Sequence, residues 1–168
     1  LFINNNLELK DEYFDVLDFS GATTFLGKPI DVYKGIKDLE HTIFEFINLY
    51  KRVLEIASEY KNLGELDFHK RNIGSKDCYF LYNQEINASS TNSEIDEILY
   101  NFDILNKRIN RLLEEYNYNR RNMLQSKDKD SYYLFGVKID KFTTNQELIV
   151  IINKAQLFEK NVKKVFQE

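Results

Sequence analysis

Apolar side chains recur along this chain in alternating steps of four and three residues, and three stretches carry the pattern. The longest covers residues 31–63, where Val32, Ile36, Leu39, Ile43, Phe46, Tyr50, Val53, Ala57 and Tyr60 fall on one seam. That spacing predicts a long amphipathic helix. Pro29 and Asp31 stand at its start and Gly64 at its end, residue types that open and close helices. Ile47, Leu49, Leu54 and Ile56 widen the stripe, which suits a bundle better than a lone two-stranded rod. A second seam (Ile95, Ile98, Phe102, Leu105, Ile109, Leu112 and Tyr116) predicts a helix over 94–125. A third (Leu148, Ile151, Ala155, Phe158, Val162 and Val165) predicts one over 145–166. Thr91 with Glu94, and Thr144 with Glu147, have the spacing of capping boxes, in which each side chain satisfies a backbone N–H at the helix start.

Between the helices the pattern changes. Cys78–Tyr82 and residues 132–139 are aromatic and β-branched and read as short strands, the first inside a β-containing excursion over 64–92. Residues 1–30 read as irregular or short elements, with Leu7–Phe19 a candidate short helix and Thr23–Leu26 a candidate edge strand. The expected fold is mainly α. It is a bundle of three long amphipathic helices, an antiparallel coiled-coil-like pair plus a C-terminal helix, with a small β excursion. The heptads are generic, and no internal repeat beyond them is expected. The chain reads as one helical domain over 1–168, taken from a longer chain because it opens on Leu1 rather than Met.

Composition narrows the classes. Of 168 residues, 43% are hydrophobic and 14% aromatic, which excludes a disordered tail. Lys and Arg total 23 against 27 Asp and Glu, a net charge of −4, so a uniformly nucleic-acid-coating protein is disfavoured while a local basic patch is not. One cysteine excludes an internal disulfide framework and points to a reducing, cytoplasmic setting. The longest aliphatic run, Leu148–Ile152, is far short of a membrane span, so no membrane partner is expected. Richness in Asn, Lys, Ile, Tyr and Phe suits an AT-rich bacterium or phage.

Candidate chemistry is sparse. Gly21–Lys28 falls short of a phosphate-binding loop: five residues separate Gly21 from Gly27, and Pro29 replaces the hydroxyl residue. Glu8, Asp11, Glu12, Asp15 and Asp18 read as a solvated acidic face without a calcium-loop pattern. His41 reads as a surface residue. Asp67, His69 and Cys78 are the sole candidates for a nucleophilic site, and a Cys–His pair needs spatial contact that spacing alone does not give. No catalytic residue, metal site or cofactor is therefore assigned.

One patch has texture. Lys107, Arg108, Arg111, Arg120, Arg121, Lys127 and Lys129 interleave with Tyr116 and Tyr118. Lys107, Arg111, Tyr118, Arg120 and Arg121 are the candidate partner-binding residues, since arginine and tyrosine together anchor protein interfaces or grip phosphate and bases. The reading that follows is a non-catalytic helical protein-interaction module: an adaptor, inhibitor or complex subunit that binds another protein or itself through its helices. Nucleic-acid association through the basic face, and part of an enzyme with an unrecognised site, stand as alternatives.

Overall fold

Two helix starts are fixed by capping boxes. The Thr91 and Thr144 hydroxyls accept the Glu94 and Glu147 amides, and the two glutamates accept the threonine amides in return. The Glu147 carboxyl is held below its usual range by those bonds from Thr144. The computed structural model describes residues 2–3, 7–8, 24–25, 28–29, 36–74, 76–119, 124–128 and 130–167, with side chains from Glu40 onward. Among the described residues four two-residue strands precede the first helix, β1 (Phe2–Ile3), β2 (Leu7–Glu8), β3 (Thr24–Phe25) and β4 (Lys28–Pro29), pairing β1 with β2 and β3 with β4. Helix α1 (Ile36–Ala57) leads to the antiparallel meander β5 (Phe68–Ile73), β6 (Lys76–Leu81), β7 (Gln84–Ile86). Helix α2 (Asn92–Glu115) leads to a second meander, β8 (Gln125–Asp128), β9 (Ser131–Leu134), β10 (Val137–Ile139), and helix α3 (Asn145–Gln167) follows.

The expected helical bundle is overturned. Among the described residues three helices alternate with two three-stranded antiparallel sheets, an α+β arrangement without the coiled-coil-like pair. An apolar stripe requires only that a helix face be buried, and here sheets bury it. In α1, the Phe46 ring lies 5.6 Å from Phe68 and 5.9 Å from Tyr79, both on the first meander, and Tyr50 stacks on Phe68 at 5.4 Å. In α2, Phe102 lies 6.2 Å from Tyr132 on the second meander. Element ends also move. The first helix ends at Ala57 rather than 63, and the second stops at Glu115 rather than 125. The expected strand over 132–139 is a hairpin, turned where Phe135 and Gly136 take φ of 49° and 78°.

The chain divides into two compact units, one of residues 1–59 and 66–96, the other of 60–65 and 97–168. They are built alike. Asp77, Tyr79, Leu81, Ile86, Thr91, Asn92, Glu94 and Ile95 each have a counterpart 53 residues on, at Asp130, Tyr132, Leu134, Ile139, Thr144, Asn145, Glu147 and Leu148. Strand register agrees: Leu81 pairs with Gln84 and Phe80 with Glu85, as Leu134 pairs with Val137 and Tyr133 with Lys138. The β3–β4 hairpin has the same register, Phe25 with Lys28 and Thr24 with Pro29. The step from Phe25 to Leu39 in sequence equals that from Leu81 to Ile95 and from Leu134 to Leu148. Among the described residues a hairpin followed by a helix thus occurs three times, an internal repeat where none was expected.

An arginine clamp closes the helix–meander part of each unit. Arg52 of α1 donates to the Ser90 carbonyl and, through Nε (3.1 Å) and Nη2 (2.9 Å), to Asn92 Oδ1. Arg108 of α2 donates to the Thr143 carbonyl at 2.7 Å and, through Nε (3.1 Å) and Nη2 (2.8 Å), to Asn145 Oδ1. Each asparagine is the first residue of the next helix, so the guanidinium fixes where that helix starts.

Candidate functional site

Of the five residues expected to bind a partner, Lys107, Arg111 and Tyr118 lie among the described residues. Lys107 and Arg111 are exposed on α2, and Arg111 Nε is paired with Glu115 at 3.1 Å one turn away. Arg108, read as part of the same patch, is committed to its clamp. Tyr118 is buried and meets Phe135 edge-on at 5.6 Å. The heptad projection fails at Tyr118 because the helix ends before it. Asn117 takes a φ of 50°, the Tyr118 amide donates to the Leu113 carbonyl at 2.9 Å, and the Asn117 amide donates to Glu114 at 3.1 Å. That is a Schellman close, which turns the chain inward. Arg120, Arg121 and Lys129 lie outside the described residues, as do Gly21, Gly27 and the acidic residues Asp11, Glu12, Asp15 and Asp18.

Of the nucleophile candidates, Asp67 and His69 come together, and Cys78 stands on the neighbouring strand. On the first meander His69 stands opposite Phe80, and Cys78 opposite Arg71. His69 Nδ1 is 2.9 Å from Asp67 Oδ1, and its ring stacks on Phe80 at 5.8 Å. Arg71 covers Phe80 at 5.2 Å. Cys78 is buried, and burial first, with a hydrogen bond to Glu85 next, pushes its thiol above the usual range, away from the reactive thiolate. His41 is exposed and pairs with Glu45 at 3.5 Å. No group of three metal-ligating side chains occurs among the described residues.

The repeat exposes a contrast between the helices that the spacing of apolar residues does not carry. Along α1 and α2, Leu49 and Leu105 occupy equivalent positions, and so do Val53 and Ile109; all four are buried, as are Leu112 and Leu113 further along α2. On α3 the counterparts of Leu105, Leu112 and Leu113 are Phe158, Val165 and Phe166, which are 68%, 72% and 86% exposed. Leu157 beside them is exposed as well. The base of α3 is anchored, since Leu148 and Ile152 are fully buried like Ile95 and Leu99 on α2. The helix is therefore seated at its start and bare along its later turns.

A groove of about 460 Å³ adjoins this bare stretch, lined by Tyr133, Phe135 and Val137 of the second meander and by Ile151, Ala155 and Phe158 of α3. Ala155, a small side chain on this groove, stands where α2 carries Phe102. Lys154 lies at the groove and Lys127 covers the Tyr133 ring at 5.0 Å, so cations border an aromatic surface. No protein-family model, curated protein or solved structure matches the chain.

Proposed function

We propose that the chain is a non-catalytic protein-interaction module, an adaptor, inhibitor or complex subunit whose contact surface is the later half of α3 and its adjoining groove. The observation that carries this reading is the exposure of Phe158, Val165 and Phe166 at positions where the equivalent α2 residues are buried. Exposed phenylalanines and valines on a well-formed helix lose most when left in water, and a protein partner restores the burial that their counterparts have. The basic face of α2 does not favour nucleic acid: Arg108 and Arg111 are engaged within the chain and Tyr118 is buried. The lone Cys78 suits a reducing, cytoplasmic compartment. No helix among the described residues is long and apolar enough to cross a membrane.

A photo-cross-linkable residue placed at Phe158, with another at exposed Lys76 on β6 as the control, tests the reading in cells of the source organism. Discrete protein adducts at Phe158 that are absent at Lys76 are the expected result. Equal, diffuse labelling at both positions would remove the α3 face as an interaction site.

A further inference from the structure

We infer that the partner seated on α3 is a three-stranded antiparallel β-meander of the kind this chain itself carries twice. The inference rests on the interaction reading above and names the partner's architecture. Its warrant is what happens on the two equivalent helices. On α1, Phe46 and Tyr50 are covered by Phe68 and Tyr79, from the first and middle strands of the meander that follows. On α2, Phe102 meets Tyr132, the counterpart of Tyr79 on the middle strand of the next meander. In both meanders the aromatic residue is two positions before a fully buried leucine, Leu81 or Leu134, and an isoleucine, Ile86 or Ile139, is buried on the third strand. The helix supplies a stripe, and the meander supplies a Tyr-x-Leu pair and an Ile to cover it.

On α3 the stripe continues through Phe158, Val162 and Val165, in the spacing of Leu105, Ile109 and Leu112. Stacked repeat proteins end in a unit with a polar outer face, because an apolar one would aggregate. The later turns of α3 do not have such a face. Their chemistry is that of an interior repeat helix, so the complementary occupant is the interior repeat's sheet. Glu168 is the counterpart of Glu115 by the same 53-residue step, so a meander entering after it meets α3 in the position that β8–β10 takes relative to α2.

The test adds that occupant. A second copy of residues 116–144 is joined after Glu168 of the full chain, and the rate of thiol labelling is read at a Phe158→Cys reporter. A control carries the same extension with Ser in place of its added Tyr-x-Leu pair. The expected result is labelling at least tenfold slower with the intact extension than without it, and no slowing with the control. Unchanged labelling in the extended chain, with its helical circular dichroism intact, would overturn the inference. So would concentration-dependent protection of Phe158→Cys in the unextended chain, accompanied by a dimer in light scattering, since the occupant would then be a second α3. In either case partner-specific cross-linking from Phe158 in cells would leave the interaction reading standing, and its absence would remove that reading independently.

Discussion

Arg52 and Arg108 make the same contacts in the two units. Each guanidinium holds the side chain of the asparagine that opens the following helix, and the carbonyl two residues before it. Removing either arginine leaves a carbonyl and an amide oxygen without their charged donor. Arg52→Ala and Arg108→Ala should each cost about 1–3 kcal/mol in urea unfolding, the range for hydrogen bonds to charged groups. Arg→Lys should recover less than half, because an ammonium does not reproduce the fork. Full recovery by lysine would mean that charge alone, rather than the shared geometry, is what matters.

The exposure contrast between helices makes a second prediction. Leu105→Ala should destabilise by about 2–5 kcal/mol, whereas Phe158→Ala at the equivalent position of α3 should stay within about 0.5 kcal/mol. Ile43→Asp, which places an unpaired charge in the α1 core, should exceed about 3 kcal/mol. Denaturant midpoints at matched protein concentration measure all three. A large loss for Phe158→Ala would show that something already covers the stripe.

Tyr132 links stability to alkaline pH. Its hydroxyl is buried without a hydrogen-bond partner among the described residues, and burial, helped by Asp130 and Asp128, pushes its pKa from 10.0 to about 12. Below pH 10 the folded and unfolded chains both keep the proton. Between pH 10 and about 12 the unfolded chain ionises first, so unfolding releases a proton and stability falls as pH rises. Tyr132→Phe should flatten that part of the melting-temperature profile. At neutral pH it should be neutral or slightly stabilising, because it removes an unpaired polar atom. An unchanged alkaline slope in the variant would place the titration elsewhere.

The two hairpin turns are interchangeable in principle. Gly136 has a φ of 78° and its counterpart Asn83 a φ of 63°, both in the left-handed region that asparagine tolerates. Gly136→Asn should therefore leave the melting temperature almost unchanged. Gly136→Val should cost about 1–2 kcal/mol through the backbone alone, since no heavy atom lies within 4 Å of the site a Cβ would occupy. Thermal melts of the two variants make the comparison.

The helices were legible because the alternation of four and three is a backbone property that survives any choice of partner. Thr91–Glu94 and Thr144–Glu147 were legible for the same local reason. What covered the stripes was not, because a sheet and a helix bury the same face. The hairpin turns were hidden as well: Tyr82 and Asn83 both take positive φ although neither is glycine. The repeat escaped because its step is not uniform. Arg52 reaches Ser90 across 38 residues, while Arg108 reaches Thr143 across 35. That difference shifts the helices out of phase with the meanders when the chain is compared with itself at one offset. Tyr118 was misplaced because Asn117, not a glycine, ends the helix. The bare stripe of α3 could not be seen at all, since Phe158 and Leu105 are both apolar and only their surroundings differ.

Equivalent positions on the helices are covered on α1 and α2 and open on α3. Single cysteines at Leu49, Leu105 and Phe158, each in a Cys78→Ala background, test it by native-state thiol labelling. Phe158→Cys should label at close to the rate of an unfolded thiol, while Leu49→Cys and Leu105→Cys label only through unfolding, slower by a factor of a hundred or more. Comparable rates at Leu105→Cys and Phe158→Cys would contradict that difference between the helices, whichever direction they moved.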